Sequence, residues 1–137
     1  MVDSILADTG FLVGLHSRTD PHHAAAVEWV RSFRGLLLTT EAVVTETAFF
    51  LDSATRARFV TGLNDGYVRI HAPDTLGRQR IAELIARYAD IDIDYADCSL
   101  VWLAELERVE KILTIDSRDF AVLKIRNRRR FSLVDWR

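Results

Sequence analysis

The sequence has one cysteine and almost no net charge, and each of these shortages excludes a class of protein. The single cysteine, Cys98, lies in an apolar stretch, so a disulfide framework is excluded and a reducing cytoplasm suits the chain. A formal net charge of −2 excludes a broadly cationic nucleic-acid-binding surface. It leaves room for a local basic patch.

Long apolar runs and nucleotide-binding glycine motifs are also absent. The apolar stretches are interrupted within a few residues, and Met-Val-Asp-Ser carries no basic segment ahead of a hydrophobic one, so we expect neither a signal peptide nor a membrane span. There is no Gly-x-Gly-x-x-Gly fingerprint and no Gly-Lys-Ser/Thr loop, which argues against dinucleotide and P-loop nucleotide binding. His22 and His23 are adjacent, but no cysteine or further histidine has zinc-ligand spacing, so structural or surface roles are favoured for them.

The sequence does contain an alternation of short apolar strands and helices. Its 137 residues, 49% hydrophobic and 28% charged, predict one domain over residues 1–137 with a sizeable core. The predicted strands are Ser4–Ala7, Leu36–Thr39, Val68–His71, Ile112–Ile115 and Phe131–Val134. The predicted helices cover residues 11–15, 21–33, 41–51, 55–63, 75–88, 95–109 and 118–123. This order predicts an α/β fold, a three-layer α/β/α sandwich around a central, mainly parallel five-stranded sheet.

The helical periodicity predicts which side chains face the core. The helix after Thr40 should turn Val43, Ala48 and Phe49 inward. The apolar face of the helix capped by Asp74 comprises Leu76, Ile81, Leu84, Ile85 and Tyr88. The aromatic residues at helical spacing, which favour core or dimer packing over base stacking, are Trp29, Phe49, Phe50 and Trp102.

Residues 92–120 organise the chain, because they combine its most apolar helix with a short buried strand. Asp94 and Asp97 stand where the helix begins, and Asp116 stands where the strand ends. In a doubly wound sheet, helices start and strands end at the same edge, where such folds place their sites. Asp94 is favoured as a helix cap rather than a site residue.

Two further acids belong to the same predicted edge. Asp8 follows the first strand, and Glu46 lies in the second turn of the helix after the second strand. If these two meet Asp97 and Asp116 within roughly 5–6 Å, each pair repels by about 3 kcal/mol at an effective dielectric of ~20. Beside a domain stability of roughly 5–15 kcal/mol, such a cluster needs protons or a divalent cation.

The chemistry of the acids favours one class of cation and one class of substrate. An all-oxygen cluster without histidine or cysteine favours Mg²⁺ or Mn²⁺ over zinc. Water polarised by such a metal is a candidate nucleophile for hydrolysis. Phosphodiesters are the natural substrate, because the metal also neutralises charge that develops on the phosphate.

The order and spacing of these acids also resemble a known family. The matching segments are Asp8-Thr9-Gly10, Asp20-Pro21-His22-His23, Thr45-Glu46, Tyr95-Ala-Asp-Cys-Ser-Leu-Val and Leu113-Thr-Ile-Asp-Ser-Arg-Asp-Phe. Together they resemble the PIN-domain family, and in particular the VapC-type toxins of bacterial toxin–antitoxin pairs. The resemblance covers almost the whole chain. Gly10 departs from the more usual serine, and Cys98-Ser99 departs from the commoner Ala-Leu.

The resemblance implies a PIN-like fold and a metal-dependent endoribonuclease that uses Mg²⁺ or Mn²⁺. Its substrate would be RNA, often tRNA or another structured RNA. A cognate antitoxin made from the same operon would inhibit it, and a homodimer is expected.

The resemblance also assigns roles to individual residues. The four acids carried over as catalytic are Asp8, Glu46, Asp97 and Asp116. Asp8 and Asp97 would hold the metal directly, and Asp116 would complete or support the metal site. Glu46 would take part directly or through a water. The polar groups expected to support these acids are Thr9, Thr114 and Asp119, the last at a position that varies in the family.

Two alternatives and two surfaces complete the predictions. A phosphoacceptor receiver expects a lysine at the end of a late strand, and Lys111 and Lys124 stand in the wrong places for it. A PIN-like interaction module without catalysis stays open.

The apolar helices after the second strand are candidate surfaces for dimer contact or antitoxin docking. The basic run Arg126–Arg130 is either a solvated loop or an RNA contact, and its candidate phosphate ligands are Arg128, Arg129 and Arg130.

Overall fold

A parallel sheet of five strands forms the centre of the computed structural model, which describes residues 2–137. The strands of the chain are β1 (Ser4–Ala7), β2 (Leu36–Thr40), β3 (Val68–His71), β4 (Lys111–Leu113), β5 (Lys124–Ile125), β6 (Arg129–Arg130) and β7 (Ser132–Leu133). The central sheet has the order β3-β2-β1-β4-β7, and its four pairings are all parallel. The short strands β5 and β6 form a separate antiparallel pair.

Helices cover both faces of this sheet. They are α1 (Thr9–His16), α2 (His23–Ser32), α3 (Glu41–Phe50), α4 (Ser53–Gly62), α5 (Thr75–Arg87), α6 (Tyr95–Glu107) and α7 (Ser117–Val122). Short 3₁₀ turns occur at Leu63–Asp65, Ala89–Ile91 and Arg126–Arg128. The predicted three-layer α/β/α sandwich around a parallel five-stranded sheet is confirmed.

The apolar helix predicted to organise the chain is α6, and it is buried along most of its length. Its buried residues are Ala96, Cys98, Ser99, Leu100, Val101, Trp102, Leu103 and Ala104. The hydroxyl of Ser99 lies 2.7 Å from that of Thr40 at the end of β2, which joins the start of the helix to the sheet edge. Burial of this helix fixes the position of the acids at its amino end.

Acidic side chains cap three of the helices that begin at the carboxyl edge of the sheet. Asp94 accepts a hydrogen bond from the Asp97 N–H at 2.8 Å, where α6 begins. Asp116 accepts one from the Asp119 N–H at 3.2 Å, where α7 begins. Asp8 follows β1 directly and stands at the start of α1. The carboxylates that start these helices therefore share one edge of the fold.

Helix α3 turns a different face inward from the one predicted. Val43, Val44 and Thr47 are buried and Ala48 is half-buried, whereas Phe49 is 77% exposed. Six helical residues rotate the chain by about 600°, which places Phe49 roughly 120° from Val43. The core prediction for Phe49 is therefore wrong, and the next residue of α3 is also an exposed phenylalanine.

Helix α5 departs from prediction at two positions. Ile81 and Leu84 are buried and Tyr88 is half-buried, as predicted. Leu76 is 73% exposed, because five residues separate it from Ile81 and rotate it about 140° away from the core. Ile85 is also exposed.

Several element boundaries shift by two residues. Helix α2 begins at His23 rather than Pro21, because Asp20 accepts the N–H of His22 at 2.8 Å and closes a turn first. Strand β4 stops at Leu113 instead of continuing to Ile115. The last strand keeps only the middle of its predicted span.

The basic segment expected as a loop contains the antiparallel hairpin. Lys124 pairs with Arg130 and Ile125 with Arg129, and the 3₁₀ turn Arg126–Arg128 connects them. Strands of two residues lie below the length at which periodicity is visible in a sequence. Across residues 2–137, none of the helices has the length and apolar character needed to cross a membrane.

Candidate active site

The carboxyl ends of the two central strands bring acids from distant parts of the chain to one cavity. Strands β1 and β4 are parallel neighbours, so Asp8 after β1 and Asp116 after β4 reach the same edge. Helices α6 and α3 add Asp97 and Glu46. The cavity has a volume of about 580 Å³, and all four of these acids line it. The structure therefore brings the four predicted catalytic acids together.

The tightest group of carboxylates differs from the predicted metal ligands by one residue. One oxygen each from Asp97, Asp116 and Asp119 lies within 4.8 Å of the others. The prediction placed Asp8 in this group and gave Asp119 a supporting position. Within residues 2–137, Asp8 does not join this group of three. Asp119 does, because it follows the α7 cap by three positions and lies on the same helix face. That spacing was the sequence signal for Asp119.

Asp8 is the most deeply buried acid of the cavity, with 5% of its surface exposed. Its Oδ1 accepts the Thr9 N–H at 2.7 Å, and its Oδ2 accepts the Thr114 hydroxyl at 2.8 Å. Burial raises the pKa of Asp8 to about 6 against the lowering effect of these two bonds, and the charges of Glu46 and Asp116 raise it further. Both predicted supporting threonines thus contact the site.

Glu46 is held at the cavity by a side-chain contact across the fold. The Thr9 hydroxyl donates to Glu46 Oε1 at 2.5 Å. Thr9 therefore serves two acids, because its backbone N–H donates to Asp8 and its hydroxyl to Glu46. This link orients one carboxylate oxygen of Glu46.

The pKa of Asp97 is raised further than that of Asp8. Burial contributes most to raising it to about 8, followed by the charges of Asp8, Asp94, Asp116 and Asp119. The pKa of Asp119 is also raised, first by burial and then by its hydrogen bond with Asp116. Without a bound cation, Asp97 is therefore largely protonated at neutral pH.

A divalent cation fits this donor set. The cavity wall also includes Asp20 and Asp94, and within the described part of the chain it contains no lysine, arginine or histidine. The charges that act on Asp8 and Asp97 are those of other carboxylates, and they raise both pKa values. The protein itself therefore leaves this negative charge uncompensated. Oxygen donors in this arrangement match the preference of hard cations such as Mg²⁺ and Mn²⁺. Asp20 was not predicted as a site residue, and its place in the cavity was missed.

The side chain of Ile115 accounts for glycine at position 10. A Cβ atom added to Gly10 would collide with the Ile115 side chain, which packs directly over it. Both residues line the cavity. A serine in place of Gly10 would require Ile115 to move.

Other residues singled out in the sequence lie away from these acids. Arg129 forms an ion pair with Glu110, and the Arg130 guanidinium donates to the Ala121 carbonyl at 3.2 Å. Arg128 lines a different cavity. The imidazoles of the two adjacent histidines contact a backbone carbonyl and an arginine, as expected for structural or surface roles.

Comparison with known proteins finds similarity along most of the chain. The model of the PIN domain family matches residues 5–125. Ribonuclease VapC26 from Mycobacterium tuberculosis is 27% identical over 136 residues, covering 95% of this chain and 99% of that protein.

Solved structures share the fold at low sequence identity. Mycobacterium tuberculosis VapC20, described as a sarcin-ricin loop cleaving toxin, has a TM-score of 0.76 at 17% identity, covering 83% of this chain and 91% of its own. A toxin–antitoxin complex from Klebsiella pneumoniae has a TM-score of 0.67 at 19% identity, covering 87% and 92%. VapBC2 from Rickettsia felis, bound to a promoter DNA fragment, has a TM-score of 0.64 at 11% identity, covering 96% and 99%. Because the family match runs from the first strand to β5, the chain belongs to the PIN domain family.

Proposed function

We propose that this protein is a divalent-metal-dependent endoribonuclease and the toxin component of a toxin–antitoxin pair. The observation that carries the proposal is the cavity in which acids from four separate segments meet without a cation. The similarity to Ribonuclease VapC26 along nearly the whole of both chains supports ribonuclease activity. The residues 1–137 are proposed to form a single nuclease domain.

The metal, Mg²⁺ or Mn²⁺, would be held by the acids nearest to one another. Asp97, Asp116 and Asp119 offer oxygens within 4.8 Å of one another, and Asp8 lines the same cavity as Asp97 and Asp116. When bound, the ion would polarise a water and offset negative charge on the phosphate. Asp97 has to give up its proton to become a ligand, so metal binding releases protons near neutral pH.

The remaining polar groups at the site orient the carboxylates or accept a proton. Thr9 and Thr114 each donate a hydrogen bond to one oxygen of Asp8, which fixes the orientation of its carboxylate. Thr9 also occupies Glu46 Oε1, which leaves Oε2 of Glu46 to accept a proton from a water in the cavity. Asp94 keeps the amino end of α6 in place by capping it.

RNA is the proposed substrate, with tRNA or another structured RNA as the favoured class. The phosphodiester bond suits an oxygen-ligated metal site, and the related M. tuberculosis toxin VapC20 cleaves the sarcin-ricin loop according to its description. The acid cavity is about 580 Å³ in volume, large enough for a nucleotide but not for a duplex. Only the nucleotides next to the scissile bond would therefore enter it.

A protein antitoxin is the proposed partner, and the exposed aromatic end of α3 is its proposed docking surface. Phe50 lines the acid cavity and also a neighbouring cavity of about 660 Å³, which Phe49 and Tyr95 border as well. An inhibitor that blocks the acid cavity has to cover this adjoining apolar surface. Toxin–antitoxin complexes among the structural relatives support a protein inhibitor. A homodimer is also proposed, and the molar mass in solution tests it.

RNA cleavage by purified protein tests the nuclease proposal. Cleavage should require Mg²⁺ or Mn²⁺, stop with EDTA, and disappear in Asp97→Asn and Asp116→Asn proteins whose circular dichroism is unchanged. Asp65→Asn is the matched control, because it removes an exposed carboxylate outside the cavity. Cleavage that survives both site substitutions would refute the mechanism. Metal binding without cleavage of any RNA would favour the catalytically silent interaction module.

A further inference from the structure

A second concave region lies outside the acid cavity, and its main cavity is bordered by α5, α7 and the β5–β6 hairpin. Its main cavity has a volume of about 730 Å³. Five cationic side chains line it, against one acid, Glu83. The five cations are Arg80, Arg87, Lys124, Arg126 and Arg128. We call this main cavity the basic groove. Its local charge is opposite to the formal charge of −2 on the whole chain.

The cations of the basic groove divide into paired and unpaired groups. Arg80 donates to both oxygens of Glu105 at 2.8 and 2.7 Å, and Arg126 lies 3.8 Å from the same carboxylate. Within residues 2–137, no carboxylate oxygen lies at ion-pair distance from the three other groove cations. These are Arg87, Lys124 and Arg128. Three positive charges from two segments, α5 and the β5–β6 hairpin, therefore converge on one cavity without internal compensation.

The hairpin that carries two of these cations is fixed to the rest of the fold. The Lys124 N–H donates to the Tyr88 hydroxyl at 3.1 Å, and Arg130 donates to the Ala121 carbonyl of α7 at 3.2 Å. Arg128 has a φ of 61°, a left-handed conformation that costs a non-glycine residue energy. These constraints hold Lys124 and Arg128 on the groove wall instead of leaving them on a free loop.

Helix α7 connects the basic groove to the acid cavity. Asp116, the cap of α7, lines the acid cavity, and Val122 lines the groove. These residues are six apart, a rise of about 9 Å along the helix axis. A chain molecule lying across α7 would therefore contact both regions at once.

The charges of the two regions fit an RNA chain in complementary ways. The side chains of the acid cavity are carboxylates without a cation, so without a bound metal ion the cavity repels a polyanion and supplies no phosphate affinity. Affinity for RNA comes mainly from cations that contact backbone phosphates. The basic groove places such cations one short helix away from the acids.

We propose that the basic groove binds backbone phosphates of the RNA substrate at nucleotides away from the scissile bond. This inference rests on the proposed ribonuclease function. Arg87, Lys124 and Arg128 supply the phosphate contacts. The ion pair between Arg80 and Glu105 keeps the groove wall in place. Arg129 and Arg130 are engaged with other parts of the protein, so of the three predicted phosphate ligands only Arg128 belongs to the contact.

RNA binding in EDTA tests the groove separately from catalysis. A fluorescently labelled RNA hairpin is titrated with protein at several KCl concentrations. The groove variant carries Arg87→Gln, Lys124→Gln and Arg128→Gln. The control variant removes the same charge at exposed sites outside the groove, through Arg31→Gln, Arg34→Gln and Arg58→Gln. Circular dichroism and thermal unfolding establish that both variants are folded.

The expected result is a loss of affinity that is specific to the groove. The groove variant should bind the hairpin at least tenfold more weakly than the parent protein, and the control variant less than about threefold. The slope of log K against log salt should become less negative by about 2, since each lost phosphate contact contributes about 0.7–0.9. Equal losses in the two variants, or unchanged binding by the groove variant, would overturn the proposal. So would unchanged RNA binding with weakened binding of the antitoxin.

Cleavage kinetics separate this inference from the proposed function. With metal present, the groove variant should show a KM raised about tenfold for the long hairpin and an unchanged kcat. Its cleavage of a short single-stranded oligonucleotide, which reaches only the acid cavity, should match that of the parent protein. If the parent protein cuts both RNAs and the groove variant has the same KM as the parent, the proposed phosphate binding by the groove is refuted. The nuclease function is then unaffected. A parent protein that binds RNA through the groove but cuts none refutes the nuclease function and leaves the groove as an RNA-binding surface.

Discussion

Thr114 donates its hydroxyl hydrogen to Asp8 Oδ2 at 2.8 Å, although 106 residues separate the two in the chain. The contact follows from strand register, because Ala7 of β1 pairs with Leu113 of β4 and each strand is followed by one of these residues. The same hydroxyl accepts the Asp116 N–H at 2.8 Å. One side chain therefore sets the positions of two acids.

Thr114→Val should weaken the site while preserving the shape of the side chain. It leaves a buried carboxylate oxygen and the Asp116 N–H without a partner, at a cost of about 1–3 kcal/mol in the free energy of unfolding. Mn²⁺ affinity should also fall, because Asp8 and Asp116 lose their shared anchor. Urea unfolding and titration calorimetry measure both effects. Thr114→Ser keeps the hydroxyl and is expected to behave like the parent protein. A valine variant indistinguishable from the serine variant would contradict this role.

The stability of the metal-free protein should fall as pH rises from about 6.5 to 8.5. The pKa of Asp97 is raised from 3.8 to about 8 and that of Asp8 to about 6, so the folded state binds more protons than the unfolded chain up to about pH 8. Stability from these groups is complete below their unfolded pKa and is lost as pH rises through the folded values. Burial lowers the pKa of His16 to about 4, so its opposite contribution is complete above its usual 6.5.

Thermal unfolding of the parent protein and Asp97→Asn in EDTA measures this dependence. The amide does not titrate, so the melting temperature of Asp97→Asn should change less between pH 6.5 and 8.5. Saturating Mn²⁺ should remove most of the decrease in the parent protein, because a bound cation stabilises the ionised carboxylates. Equal pH dependence in the two proteins would contradict the assignment of a high pKa to Asp97.

Asp119 should matter more for metal binding than Asp94, although both acids carry one charge close to the site. Asp119 contributes to the group of oxygens within 4.8 Å, whereas Asp94 caps α6. Asp119→Asn should reduce Mn²⁺ affinity about tenfold or more. Asp94→Asn should reduce it less than about threefold, since asparagine caps helices as well as aspartate does. Calorimetric titration of both proteins compares them directly. Similar losses would indicate that general negative charge, rather than ligand geometry, controls binding.

Local patterns made part of the site predictable from the sequence. The apolar run Ser4–Ala7 followed by Asp8 identifies a buried strand and its acidic end. Asp97 stands in the first turn of a helix whose burial is evident from its composition. Because parallel strands present their carboxyl ends at one edge, these two patterns predict the convergence of acids without knowledge of the tertiary contacts.

Other features depend on contacts that no local pattern encodes. The bond between Thr114 and Asp8 requires the register of two strands far apart in sequence. The exposure of Phe49 depends on which face of α3 the sheet selects, and hydrophobicity alone favoured the wrong face. These are tertiary choices, decided by packing rather than by propensity.

Phe49 and Phe59 should respond oppositely to substitution, because one ring is 77% exposed and the other 1%. Phe49→Ala should change the free energy of unfolding by less than about 0.5 kcal/mol, since little buried surface is lost. Phe59→Ala should cost about 3–5 kcal/mol, because it leaves a cavity in the core. Urea unfolding measures both.

Phe49 should matter for binding of the cognate antitoxin, although it contributes little to stability. Phe49→Ala should weaken the complex at least tenfold, because the exposed ring belongs to the apolar surface beside the acid cavity. Leu76→Ala is the matched control, as Leu76 is 73% exposed and does not line that surface. If the two variants bind the antitoxin equally well, the inhibitor covers another part of the protein. RNA cleavage by Phe49→Ala should meanwhile keep the parent rate, because Phe49 does not line the acid cavity.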